Sequence, residues 1–150
     1  EESLNLVNEI LQKINTIKKK TFRIKPKIYF EEWDDPYISA TRWVSEIIEI
    51  SGGVDIFAKK SRSQKALKRA VSSQDVINKN PDIIFASWCG KKVNFDKIKK
   101  RQGWSSINAV KTNSLFEIKS PIILQPGPAA LTDGLSQIHD LILQWQKSQI

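Results

Sequence analysis

The sequence is poor in the residues that carry most metal and redox chemistry. It has one cysteine, Cys89, and one histidine, His139. A single cysteine excludes a disulfide within the chain, and one Cys with one His falls short of the ligand set of a zinc site. A Cys–His nucleophile pair would hang on one contact between residues far apart in sequence. No apolar run approaches the length of a membrane span. The first residues, Glu1-Glu2-Ser3, carry neither an initiating Met nor a signal-peptide pattern, which reads as a mature or truncated product. No helix-turn-helix, zinc-finger or single-strand RNA-binding signature is present, so nucleic acid is not an expected partner.

What is there suits a globular domain. A chain of 150 residues, 40% hydrophobic, suggests one domain with a real core. The net charge is +8, and most of the 24 basic residues fall between Lys18 and Lys27, Lys59 and Arg69, or Lys91 and Arg101. Such clusters read either as solvated helix ends and loops or as attraction for anions.

Periodicity orders the elements. Leu4, Val7, Ile10, Leu11, Ile14 and Ile17 recur at steps of three and four, which predicts an amphipathic first helix from Ser3 to Lys20. A short basic linker follows, closed by Pro26, and Lys27 to Phe30 reads as a strand. A second helix follows Pro36, with Ala40, Trp43, Val44, Ile47 and Ile48 on its apolar face, and Arg42, Ser45, Glu46 and Glu49 on its wet face. Gly52-Gly53 ends it. Val54 to Phe57 is a second strand. Ser72 with Asp75 three residues on predicts a capped helix start, and Asn94 a second cap. Asp82 to Ser87 is a buried strand. Val110, then Thr112-Asn113-Ser114, then Leu115 to Lys119 read as a hairpin-like return, residues 120–128 as a loop, and Leu131, Leu135, Ile138, Ile142 and Trp145 as a final helix. Strands alternating with helices predict an α/β fold: a largely parallel sheet with helices on both faces, preceded by a long helix.

Three loops fall at strand ends: Glu31 to Tyr37, Trp88 to Lys92, and Lys119 to Gly127. In a parallel sheet they share one edge, where open α/β sheets place their ligands. They offer Glu31, Trp33, Tyr37, Trp88, Lys91, Lys119, Ser120 and Gln125. Flat apolar faces with a few donors and acceptors suit a large planar ligand with a polar rim. The aromatics have a packing alternative: Trp33 and Tyr37 can cover the second helix, and Trp88 can be a lid over the sheet. Trp43, Trp104 and Trp145 read as packing, and His139 as a surface or half-buried residue.

Two metal patterns compete with this. Glu31, Glu32, Asp34 and Asp35 have the chemistry for a divalent ion, but alternation along an extended segment points them apart. Pro81-Asp82 followed later by Glu117-Ile118-Lys119 has the form of a restriction-type nuclease motif. Asp82 opens a strand and Lys119 closes one, so this site assembles only if the last strand runs antiparallel.

Several blocks together resemble a known family. Tyr-Phe-Glu-Glu-Trp-Asp-Asp-Pro-Tyr-Ile-Ser (29–39), Ile-Ser-Gly-Gly-Val-Asp-Ile-Phe (50–57), Val-Ser-Ser-Gln-Asp-Val-Ile (71–77) and Asn-Pro-Asp-Ile-Ile-Phe (80–85) are similar to the C-terminal lobe of cluster-A periplasmic binding proteins. These are the substrate-binding components of ABC importers for cobalamin and iron-siderophores. Ser-Trp-Cys-Gly-Lys-Lys (87–92), Lys-Ser-Pro (119–121) and Gln-Pro-Gly-Pro (125–128) resemble the cobalamin-binding branch.

The resemblance implies a connector helix and linker over residues 1–25 and a ligand-binding lobe over residues 26–150. It also implies an N-terminal lobe absent from this sequence and a cargo, a corrinoid or iron chelate, held between lobes. It further implies a non-enzymatic protein with no cofactor beyond that cargo, a periplasmic or extracytoplasmic location with a possible lipid anchor on the full-length protein, and a membrane permease as partner. In the family an acid on each lobe docks to permease arginines; the matching positions are Gln74 and Asp75, of which only Asp75 is charged.

Overall fold

The computed structural model describes residues 1–20 and 24–149. Its centre is made by two runs of β-branched and aromatic residues, Ile28-Tyr29-Phe30 and Ile83-Ile84-Phe85, all buried. Such runs favour strands covered on both faces. They lie in β1 (Lys27–Asp34) and β4 (Ile83–Ala86) of a five-stranded sheet, which also holds β2 (Tyr37–Ser39), β3 (Val54–Asp55) and β5 (Leu115–Glu117). The order is β2-β1-β4-β5, with β3 also beside β1. β1, β3, β4 and β5 run parallel, and β2 is antiparallel to β1.

Strand alternation divides the core in two. Ile28, Phe30, Ile83 and Phe85 face one layer and Tyr29, Ile84 and Ala86 the other. The first layer is closed by α2 (Arg42–Ile50) through Val44, Ile47 and Ile48, and by α7 (Leu135–Lys147) through Leu135, Ile138 and Ile142. A π-helical turn, Ala130–Gly134, leads into α7. The first helix, α1 (Glu2–Lys18), joins this layer through Ile17, while its Leu4, Val7 and Leu11 stay exposed. The second layer is closed by Val76 of α3 (Ser73–Lys79), Ile98 of α4 (Phe95–Lys99), Trp104, and Ala109 of α5 (Asn108–Lys111). Helices therefore cover both faces of a mostly parallel sheet, the expected α/β architecture.

Local chemistry sets the boundaries. The Ser72 hydroxyl accepts from the Asp75 N–H at 3.0 Å, and the Asn94 side chain accepts from the Lys97 N–H at 3.1 Å, so both expected caps form. Gly52, at φ 101, provides the left-handed residue after α2. Gly53 has another constraint: a Cβ there would run into the Ile28 side chain and sit 3.3 Å from Ile142.

The structure corrects several expectations. β1 continues four residues past Phe30, and the segment expected as a loop is a hairpin: Trp33 pairs with Ile38 and Asp34 with Tyr37, with a bulge between Glu31 and Trp33. Carboxylates are tolerated in this strand because each of its three, Glu31, Glu32 and Asp34, meets a cation from elsewhere in the chain. Leu115 to Glu117 is a parallel strand beside β4, not a hairpin return. The expected loop at 120 begins with α6 (Ser120–Ile123), where Pro121 occupies a position needing no helical N–H. Ser45, expected on the wet face of α2, is buried, and so is His139. His139 Nδ1 lies 3.1 Å from the Ser51 carbonyl, and Lys20 Nζ lies 3.3 Å from Nε2. The basic linker expected before β1 includes residues 21–23, which lie outside the described residues.

Candidate functional site

Because β1, β4 and β5 are parallel and in register, their carboxyl ends reach the same edge: Glu31 pairs with Ala86, and Ala86 with Glu117. The chain leaves that edge through Trp88-Cys89-Gly90-Lys91-Lys92 after β4, and through Lys119-Ser120 after β5. The β1–β2 hairpin rises beside them. Trp33, Trp88 and Lys91 meet there. The Lys91 ammonium sits 4.4 Å from the Trp33 ring centroid and 4.9 Å from that of Trp88. This is cation–π distance to both indoles, so the two rings share one rim.

The side chains beneath are tied down by charge. Glu31 is fully buried. Its two oxygens accept from the Arg101 guanidinium at 2.8 and 2.9 Å, from the Tyr29 hydroxyl at 2.8 Å and from the Trp88 indole N–H at 3.0 Å. A bidentate pair of this kind is both strong and directional. Arg101 in turn lies over two rings that meet each other edge to face, Tyr37 at 4.2 Å and Trp104 at 4.5 Å. Burial, and then the Glu31 charge and hydrogen bond, push the Tyr29 hydroxyl well above its ordinary range, so it stays a donor.

Asp34 organises the rim itself. Lys91 lies 2.8 Å from one oxygen and Lys97 2.7 Å from the other. Burial pushes this carboxyl up, but hydrogen bonds and charge from Lys91 and Lys97 together outweigh it and hold Asp34 below its usual range. The same bond to Asp34 raises Lys97. Glu117 accepts from the Val93 N–H at 2.9 Å and from Lys119 at 3.1 Å. Burial raises Glu117 too; the Val93 bond and Lys119 win, and it is lowered. Glu32 faces away, into Arg69 at 3.1 Å and the Thr41 N–H at 2.7 Å. Burial dominates there and raises it.

A cleft of about 220 Å³ runs between the β4 and β5 loops, lined by Trp88, Lys91, Lys92, Glu117, Lys119 and Ser120 among others. Of the eight residues expected from sequence, the structure brings Trp33, Trp88, Lys91, Lys119 and Ser120 to this rim and cleft. Glu31 lies under the rim, where it orients Trp88 and holds Arg101. Tyr37 turns toward Arg101 and lines a separate depression of about 440 Å³ with Asp35, Pro36 and Lys97. Gln125 is exposed beyond α6 and does not line the cleft. Trp88 is only 3% exposed, so it is largely the lid that its packing alternative describes, with an edge in the cleft. Trp104 packs as expected and donates to Ser73 at 2.7 Å; Trp43 donates to the Ile123 carbonyl at 2.9 Å.

Sequence reasoning missed Lys97 and Arg101 as site residues and read Asp34 only as one of four carboxylates that could meet a metal ion. The signal available was weak: a basic cluster closing at Arg101 and an acid at the strand end, with nothing linking them across some seventy residues.

The competing readings do not assemble. Asp82 opens β4 and accepts from the Lys27 N–H, whereas Glu117 closes the parallel β5, so the nuclease-type triad of Asp82, Glu117 and Lys119 is split between opposite ends of the sheet. Among the described residues no cluster of three or more His, Cys, Asp or Glu is arranged to hold a metal ion. Cys89 is exposed at the carboxyl edge, while His139 is buried against Ser51 near the amino end of β3. No described helix is long and apolar enough to cross a membrane.

Comparison with known proteins gives this arrangement a context. The sequence profile of the periplasmic binding protein family matches residues 1–122. YvrC of Bacillus subtilis (strain 168), described as an uncharacterized ABC transporter substrate-binding lipoprotein, is 24% identical over 139 residues, covering 91% of this chain and 40% of YvrC. The periplasmic vitamin B12 binding protein BtuF of Vibrio cholerae superposes with a TM-score of 0.68 at 23% identity, over 93% of this chain and 52% of BtuF. IsdE of Staphylococcus aureus, solved with heme, superposes with a TM-score of 0.66 at 23% identity, over 92% of this chain and 55% of IsdE. At these identities the likeness to the solved structures carries the fold. The chain spans about half the length of the structures it matches and less than half of the curated relative.

Proposed function

This chain belongs to the periplasmic binding protein family, and from that membership we propose that it is the C-terminal, cargo-holding lobe of the substrate-binding component of an ABC importer. The observation that carries the reading is the pair of indoles, Trp33 and Trp88, facing one ammonium at the carboxyl edge of the sheet. A planar macrocycle entering there replaces the ammonium as the partner of those rings. Lys91, Lys119 and Ser120 then meet polar groups around its perimeter. Glu31 acts from beneath by fixing the Trp88 indole.

A cobalamin-like corrinoid is the preferred cargo, because its large ring and amide fringe match flat apolar faces bordered by donors and acceptors. A ferric siderophore or haem is the second reading. It is favoured by the cations Lys91, Lys92 and Lys119 along the cleft, which suit a chelate bearing carboxylates. A second lobe would cover the other face of the cargo, and delivery would be to a membrane permease. Gln74 and Asp75, both exposed at the start of α3, are the proposed contacts with that permease. The full-length protein would work outside the cytoplasm, with a lipid anchor.

Equilibrium dialysis and tryptophan fluorescence with cyanocobalamin, haem and a ferric hydroxamate test this. Cyanocobalamin is expected to quench the indoles and bind weakly to the lone lobe, since half of the desolvated contacts are missing. In a two-lobe protein the affinity rises, and Trp33→Ala lowers it about tenfold, as loss of an aromatic anchor does. Absence of binding by all three ligands to the two-lobe protein would refute the reading.

A further inference from the structure

Residues 56–74, between β3 and α3, contain no Asp or Glu. Two short 3₁₀ turns, Lys60–Arg62 and Ala66–Arg69, shape this loop and pack on each other. Lys59, Lys60, Arg62, Lys65 and Lys68 are all exposed. Among the described residues none of these five has a carboxylate within 4.0 Å, whereas Lys91, Lys97 and Arg101 each have one. At the crest stands Leu67, a large aliphatic side chain left 76% exposed.

The loop is held firmly from inside. Arg69 turns inward, donating to the Ser63 carbonyl at 2.9 Å, the Gln64 carbonyl at 3.1 Å and Glu32 at 3.1 Å. Its own carbonyl accepts from the Ser39 hydroxyl at 2.8 Å, and the Val71 N–H donates to the Tyr37 carbonyl at 2.9 Å. Phe57 and Ser61 are buried. One cation of the cluster thus anchors the fold, and the five outside remain unneutralised around an exposed leucine on a braced platform.

We infer that this loop is a docking surface for an anionic lipid bilayer, with Lys59, Lys60, Arg62, Lys65 and Lys68 meeting headgroup phosphates and Leu67 entering the headgroup–acyl boundary. Unpaired cations near an anionic leaflet each add to attraction, and an aliphatic group at the centre adds burial that a soluble polyanion cannot offer. A single-stranded nucleic acid fits less well, because the loop exposes no aromatic ring for base stacking. The inference is independent of the cargo.

Co-sedimentation of the chain with vesicles tests it. The protein is expected to pellet with mixed phosphatidylcholine–phosphatidylglycerol vesicles, not with phosphatidylcholine alone, and to be released by salt. Lys65→Gln with Lys68→Gln is expected to weaken binding about 25-fold, about fivefold per cation. Leu67→Ser weakens it further with an unchanged thermal melt, since the side chain packs on little. Lys99→Gln with Lys100→Gln, which removes the same charge elsewhere, leaves binding within about twofold. Equal loss in this control, binding unaffected by Leu67→Ser, or equal retention on heparin and vesicles would each overturn the inference.

Discussion

Asp34 holds two ammonium groups, Lys91 and Lys97, and so fixes the side chain whose ammonium lies within cation–π distance of both indoles. Its pH dependence follows from the direction of its shift. A carboxyl lowered in the folded state stabilises the fold above its ordinary value, near 3.8, and loses that contribution as pH falls through the still lower folded value. Urea unfolding across this acid range is expected to show that loss in the wild type and a flatter profile in Asp34→Asn; parallel profiles would contradict the assignment. At this scale the sequence was legible in part. Trp33, Trp88 and Lys91 were readable because strand ends in a parallel sheet converge. The Glu31–Arg101 pair was not, because a contact between residues so far apart leaves no local pattern.

The elements were more legible where chemistry is local. Ser72 and Asn94 announce their helices because a cap is a bond between neighbours. The β1–β2 hairpin was hidden because Asp34-Asp35-Pro36-Tyr37 lacks the Asn-Gly or Gly-Gly signature of tight turns, and its charges read as loop. β5 was misread because Thr112-Asn113-Ser114 looks like a hairpin turn; Asn113 is indeed left-handed, at φ 55, but follows a helix. The approach of β1 to the end of α2 requires a residue without a side chain at position 53. Gly53→Ala is expected to cost about 1–3 kcal/mol through overpacking against Ile28, measured by urea unfolding.

At the scale of the molecule, α1 is fastened along one side only. Ile17 is buried in the core layer, Lys13 donates to the Thr132 carbonyl at 3.1 Å and bonds the Ser136 hydroxyl, and Leu11 is exposed. Ile17→Ala is expected to cost about 2 kcal/mol or more. Leu11→Ala should stay within about 0.5 kcal/mol in this chain, and comparable losses by calorimetry would place the helix differently. Strand direction decides the larger question of which chemistry the molecule can host, since parallel β5 carries Glu117 to the edge opposite Asp82.

The same sheet has short margins. On one side β1 is bordered by two separate strands, β3 of two residues along its start and β2 of three along its end. On the other, β5 has three residues. A neighbouring chain that tried to extend the sheet would find too few free N–H and C=O groups in a row to form a stable ladder. Polymerisation by strand addition is thereby disfavoured at both borders.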